Sequence, residues 1–360
     1  MRRYAISVAA VTLSLSLAAC GSSPGEDDAA ALADENDITI GLLMPEKVIS
    51  RYEQFDFPIF KDKVEELTDG KGEVRYANAV GDQDEQNRQM RSMVEDKVDV
   101  IVVDPVDAKA VAPEVTRAKE AGVPVIAYDR LAEGPVDAYV SFDNTVVGEV
   151  QGRSLAQAIP GDTYVMMNGS PADPNAKMFK DGAQGELSGL TVLKSYDTKG
   201  WDPDEAKKNM QDAIAEFGVS KIKGVLSAND GMAGGVVAAL KEAGVTEMPP
   251  ITGQDADIEA VQRIITGEQY MTVYKPYPNE AEAAAEMAVA KVRGHNIQFD
   301  ALTRDSVDSP THKDIPAALV PVVELTRDNI KETVVADGIH TVKQICTAKV
   351  RAACQAAGLL

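Results

Sequence analysis

Apolar runs in this chain end repeatedly on polar or charged residues. Asp104 follows VDVIVV (98–103), and Asp129 and Arg130 follow VPVIAY (123–128). Asp173 and Asn175 come shortly after YVMMNG (164–169), and Asn229 and Asp230 follow KGVLSA (223–228). Asp255 follows PPITG (249–253) and Gln254, while Lys275 closes YMTVYK (270–275). Ionised carboxylates only accept hydrogen bonds, and Arg and Lys only donate them. A set holding both suits a ligand whose groups donate and accept at once. Arg51, Arg130 and Lys275 would keep neighbouring acids ionised, which suppresses the protonated carboxyl that glycoside hydrolysis needs. A single Asp at a strand end commonly caps the next helix. Recurrence at six strand ends, with both signs of charge, points instead to a shared binding site.

Other chemistry finds no support. The three histidines, His295, His312 and His340, are scattered, and no pair has a spacing such as HExxH. The chain contains no GxSxG elbow and no Walker sequence, and Gly70-Lys71-Gly72 lacks the third glycine and preceding strand of a dinucleotide fingerprint. The acidic stretch Asp82-Gln83-Asp84-Glu85 stands where a helix begins, so capping and dipole compensation account for it. No catalytic residue, metal or cofactor is expected.

The elements that would carry the polar residues alternate. Short runs, beginning with ITIGLLM (38–44), are continuously apolar, as strands buried on both faces are. Between them lie amphipathic helical segments such as Gln86 to Lys97 and Ala206 to Phe217. The pattern predicts an α/β fold with parallel sheets and helices on both faces. Ligands bind such sheets outside the carboxyl ends of the strands, where these polar residues fall.

The N-terminus reads as an export signal: Met1-Arg2-Arg3 is basic, and Ala5 to Ala19 is apolar but too short and Ser-interrupted to span a membrane. It ends Leu17-Ala18-Ala19-Cys20, which resembles the lipobox of bacterial lipoproteins, making Cys20 the expected acylated residue of an anchored, extracytoplasmic protein. Loss of residues 1–19 removes two arginines and no acid, moving the formal charge from −21 to −23. Nucleic acid and anionic membrane surfaces are poor partners for such a chain. Residues 20–37 read as a flexible tether, and the roughly 320 residues beyond exceed one core, so two domains are expected. Cys346 and Cys354 remain; a straight helix would hold them about 12 Å apart, beyond disulfide reach. Either the segment bends between them or both thiols stay free, and the oxidising compartment favours the bridge.

From Ile38 to about Gly338 the chain resembles the sugar-binding proteins of bacterial ABC importers, in the branch of the xylose-binding and broader aldose-binding proteins. The resemblance is carried by VIAYDRL (125–131), SFDN (141–144), GSPADPNAK (169–177), SAND (227–230), GQDAD (253–257) and MTVYKP (271–276), in that order. It implies the type I periplasmic binding protein fold, two Rossmann-like lobes joined by three crossings, placed near Phe142 to Thr145, Lys275 to Pro278 and Val307 to Pro310. The lobes would then be 38–143 with 278–308, and 144–277 with 309–360. Matched position by position, it implies sugar contacts by Arg51, Tyr52, Asp129, Arg130, Asp173, Asn175, Trp201, Asn229, Asp255 and Lys275. Tyr52 stands where the family usually has tryptophan, and the stretch between Asn175 and Trp201 is shortened. A pyranose has flat C–H faces, which aromatic residues such as Tyr52 and Trp201 would cover. The implied function is a monomeric, lipid-anchored receptor that binds an aldose, D-xylose first, and delivers it to a membrane permease. The alternatives are a sensor presenting its closed form to a signalling partner, or a binder of several aldoses.

Overall fold

The computed structural model describes residues 34–360. The export signal, Cys20 and most of the tether lie outside them. Among the described residues no helix is long and apolar enough to cross a membrane.

A seven-stranded, a three-stranded and a two-stranded sheet organise residues 35–360. The first contains β1 (Thr39–Met44), β2 (Glu73–Asn78), β3 (Val100–Val103), β4 (Val125–Tyr128) and β5 (Ala138–Phe142). The three-stranded sheet holds β6 (Thr163–Asn168), β7 (Thr191–Asp197) and β8 (Gly224–Ser227), and β9 (Thr272–Tyr274) follows in the chain. Later come β10 (Asp305–Val307), β11 (Ile315–Val320) and β12 (Val323–Leu325). The first sheet runs β10-β11-β5-β4-β3-β1-β2, parallel except for the edge strand β10. In the second lobe β7-β6-β8 are parallel. Bridges Val225–Ile251 and Gln254–Val273 extend that pairing towards β9, which takes β12 antiparallel. The continuous apolar runs have the burial that two-sided covering requires: every residue of β3, β4, β5 and β8 is buried. At the edge, β2 is mostly half-exposed.

The chain leaves the first sheet at Phe142 and enters the helix Asn144–Ala158, capped by Asp143, whose carboxylate accepts from Val146 N–H. It returns after β9 through Lys275 and Pro276 into the helix Tyr277–Val292, whose alanine-rich face packs in the first lobe's core with Leu42, Val102 and Val140. The third crossing corrects the sequence reading. Asp308-Ser309-Pro310 is a turn, not a linker: Ser309 N–H donates to His312 O at 2.8 Å, and Thr311 Oγ1 accepts from Gly134 N–H at 3.0 Å. The chain reverses there into β11, which pairs parallel with β5 through Ala317–Tyr139 and Val320–Phe142. Residues 309–320 therefore belong to the first lobe, and the crossing falls at 320–323. A turn-forming triplet has the same composition in either role.

The tail after β12 packs Ile330, Val334, Ile345 and Val350 against Val261, Ile264 and Ile265. Cys346 and Cys354 form a disulfide there, with Cα atoms 5.8 Å apart. The segment is unwound between the short helices Val342–Ile345 and Arg351–Ala356, which brings the cysteines within reach.

Candidate functional site

The carboxyl ends of the two larger sheets face one cleft, lined by Ile49, Tyr52 and Asp129 from the first lobe. Asp173, Asn175, Phe179, Trp201, Gln254 and Asp255 line it from the second lobe, and Lys275 from the crossing.

Three of these residues, Asp129 (φ 52°), Trp201 (φ 57°) and Asp255 (φ 96°), have left-handed backbones. Non-glycine residues keep that geometry only where neighbours hold it, and such positions gather at functional sites. At Asp129 the carbonyl accepts from Tyr139 Oη and Ser141 Oγ, both at 2.7 Å, and from Asn175 Nδ2 at 2.9 Å. The Trp201 indole lies over Gly169, where an added Cβ would sit 2.0 Å from the ring, so only glycine admits it. Its Nε1 donates to Asp173 Oδ2 at 3.1 Å.

Two buried arginines organise the charge. Arg51 is 1% exposed and lies behind Asp129, with Nη2 2.7 Å from Glu280, 3.1 Å from Asp56 and 3.6 Å from Asp129. Its guanidinium stands 5.2–5.4 Å from the ring centroids of Tyr52, Phe142 and Tyr277. Arg130 meets Glu46 at 2.6 Å within its own lobe and reaches across to Asp173 at 2.9 Å. Lys275 Nζ is 3.0 Å from Asp255. Burial pushes the Asp129 carboxyl upward, but Arg51, Lys275 and Arg130 outweigh it and, with the Tyr52 hydroxyl 2.6 Å away, hold it at about 2. Burial lifts Asp173 to about 6 against the pull of Arg130. The cations therefore hold the Asp129 carboxyl low, whereas Asp173, which shares the Arg130 guanidinium with Glu46 and Asp104, is held above its ordinary value by burial.

Most of the residues picked out in the sequence meet here. Tyr52, Asp129, Asp173, Asn175, Trp201, Asp255 and Lys275 line the cleft, and Arg130 bridges the lobes beside it. Arg51 supports Asp129 from behind and is not part of the lining. Asn229 is likewise set back: its Oδ1 caps the helix Asp230–Glu242 by accepting from Met232 N–H at 3.0 Å. Asp173 both caps, accepting from Asn175 N–H at 2.8 Å, and lines the cleft. Sequence reasoning missed Ile49, Phe179 and Gln254 in the lining, and Asp56 and Glu280 around Arg51. Gln254 could have been found beside Asp255 within GQDAD. Asp56 lies five residues from Arg51 in the same helical segment, a local pairing that was open to a sequence reading, whereas Glu280 lies on a helix far away in the chain and no spacing marks it.

Three buried atoms of the lining have no hydrogen-bond partner within the protein, Asp129 Oδ1, Asn175 Oδ1 and Gln254 Oε1, beside the Asp255–Lys275 ion pair. Leaving such groups unmet is costly, so their convergence marks a place built for a polar ligand. Among the described residues no cluster of His, Cys, Asp and Glu could hold a metal. Two parallel α/β lobes closing on charged and aromatic groups define a two-lobed ligand-binding protein.

The comparisons make the class specific. Residues 40–296 match the model of the periplasmic binding protein domain. The chain is 35% identical over 315 residues to the D-xylose-binding periplasmic protein of Escherichia coli K12, covering 86% of this chain and 92% of that one. It is also 35% identical over 320 residues to the D-xylose-binding periplasmic protein of Haemophilus influenzae, covering 87% and 93%. Among solved structures it is similar to an ABC transporter solute-binding protein from Clostridium phytofermentans with bound β-D-glucose, at 28% identity and TM-score 0.78, covering 85% of this chain and 99% of that one. The chain belongs to the periplasmic binding protein family, and these relatives are binding proteins, not enzymes.

Proposed function

We propose that the protein is an extracytoplasmic receptor that binds one free aldose, D-xylose first, between its lobes and delivers it to the permease of an ABC importer. The observation that carries the reading is the cleft lining. Unpartnered buried oxygens of Asp129, Asn175 and Gln254 line the same cleft as the Asp255–Lys275 ion pair and the Tyr52 and Trp201 rings. Sugar hydroxyls both donate and accept, so they can satisfy carboxylates and cations together, and charged partners strengthen those bonds. The aromatic rings suit the C–H faces of a pyranose. Each lobe supplies part of the shell, so binding is coupled to lobe closure. Arg51, Arg130 and Asn229 act in this reading by supporting or edging the lining. Acylation at Cys20 would anchor a monomeric receptor beside its permease.

A second reading, a binder of several aldoses, is favoured by the bound β-D-glucose of the similar solved structure. Trp201 is the only tryptophan, so its fluorescence reports this cleft. Titration with D-xylose should change it saturably, and a disaccharide should not. A response to D-glucose close to that for D-xylose selects the broader reading; discrimination by one hydroxymethyl group amounts to about 1–3 kcal/mol, which full titrations resolve. No binding of any monosaccharide by fluorescence or calorimetry would overturn both.

A further inference from the structure

Asp255 and Ala256 are consecutive non-glycine residues with left-handed backbones, φ 96° and 58°. L-residues hold such a pair only when the surroundings enforce it. Both carbonyls are gripped by ring-borne donors from outside the segment that carries them. The Tyr277 hydroxyl, beyond the second crossing, donates to Asp255 O. His340, in the C-terminal tail, places Nε2 2.8 Å from Ala256 O. A carbonyl can only accept, so Nε2 carries the proton, and burial, which lowers the pKa of His340, favours the neutral ring. Phe55, two residues before the helix that starts at Phe57, ties the donors together: it stacks on Tyr277 at 5.3 Å between centroids and meets His340 edge-on at 5.9 Å. His340 is fixed in turn by its own N–H, which donates to Val334 O at 3.0 Å, within the core that also buries Ala256 and the Cys346–Cys354 disulfide.

We propose that His340 is a positioning residue for the sugar cleft. It does not line the cleft. It acts through the Ala256 carbonyl, holding the left-handed pair so that the Asp255 carboxylate faces the ligand beside Lys275. The disulfide-closed tail thereby becomes part of the binding apparatus. The inference rests on the monosaccharide-binding reading above.

The test is D-xylose affinity by calorimetry on the full chain, with melting temperatures to monitor folding. His340→Phe keeps a ring against Phe55 and loses the N–H donor; its affinity should fall about tenfold. His340→Gln retains a donor and should recover most of that loss. Glycine adopts positive φ without a Cβ clash, so Ala256→Gly placed in the His340→Phe background should restore much of the affinity. A role in packing alone predicts the opposite: glutamine no better than phenylalanine, and glycine adding a further loss. If His340→Phe does not fold, the same comparison is made on His340→Leu with and without Ala256→Gly. Wild-type affinity in His340→Phe would overturn the positioning role and leave the functional reading standing. Absence of any monosaccharide binding in the wild type would overturn that reading and the proposal with it.

Discussion

Asp129 and Asp255 face the same cleft from opposite lobes, both with left-handed backbones at strand ends, yet they are held in different ways. The Asp129 turn is built mostly by its own sheet: its N–H donates to Val140 O at 2.9 Å, and its carbonyl receives the hydroxyls of Tyr139 and Ser141 from the neighbouring strand β5. Behind it stands a buried arginine. The Asp255 turn donates to strand β9 from two N–H groups, Asp255 to Val273 O at 2.9 Å and Ala256 to Thr272 Oγ1 at 3.4 Å, but its two carbonyls are held from elsewhere, by Tyr277 and, at Ala256, by His340. One carboxylate is set by the core of its lobe. The other is held at its carbonyls by a crossing and a tail, so its placement also responds to how those segments lie. A hinged receptor gains from that division, with a rigid half of the site and a half coupled to the connections between lobes.

The largest expected effect tests the rigid half. Arg51→Met removes the cation paired directly with Asp56, Glu280 and Asp129, and stripping one partner from a buried ionic cluster typically costs about 3–5 kcal/mol. Urea denaturation should show that loss, and an unchanged midpoint would mean that Asp129 does not need the arginine. Next, Asp255→Ala should weaken D-xylose binding by about 1.5–3 kcal/mol while the protein stays folded. Unchanged affinity by calorimetry would remove Asp255 from the site.

A pH comparison separates Asp129 from Asp173. With Asp129 held at about 2, below its unfolded value, its contribution to stability is present above about pH 4 and is lost as pH falls towards 2. Asp173, raised to about 6, has the opposite sign: the folded state binds the extra proton, so stability falls as pH rises from about 4 to 6 and levels off above that. Asp173→Asn should therefore gain on the order of 1–2 kcal/mol relative to wild type between pH 4 and pH 7. Parallel denaturation curves across that range would refute the assignment. The smallest effects sharpen the comparison most. Tyr277→Phe should weaken sugar binding by about 0.5–1.5 kcal/mol. Tyr139→Phe should weaken it less, since Ser141 and Asn175 still hold the Asp129 carbonyl. Equal losses in the two variants would erase the distinction between the turns.

Much of this organisation is legible in the sequence because it is local. Continuous apolar runs specify buried strands, and a strand's polar terminus must lie at the sheet's end, so Asp129, Asp173, Asp255 and Lys275 could be placed at one rim before any coordinates. The family motifs, VIAYDRL and GQDAD among them, are contiguous for the same reason. Asn229 shows the limit of the local signal, because an asparagine that caps a helix and one that meets a ligand occupy the same position in sequence.

What only tertiary structure decided are the pairings between distant segments. Glu280 approaches Arg51 only because two helices pack side by side, and nothing in its own neighbourhood marks that role, whereas Asp56 stands five residues from Arg51 in the same helical segment. The third crossing depends on whether β11 finds β5, a choice made by the fit of two apolar faces and invisible in Asp308-Ser309-Pro310. His340 reaches Ala256 only after the tail has packed beneath the second lobe's helix Ile258–Thr266. Short-range patterning encodes which residues must stand at strand ends, since each strand's burial is set by its own composition. Long-range packing decides which of those residues meet, since burial is satisfied only when separate elements are brought together.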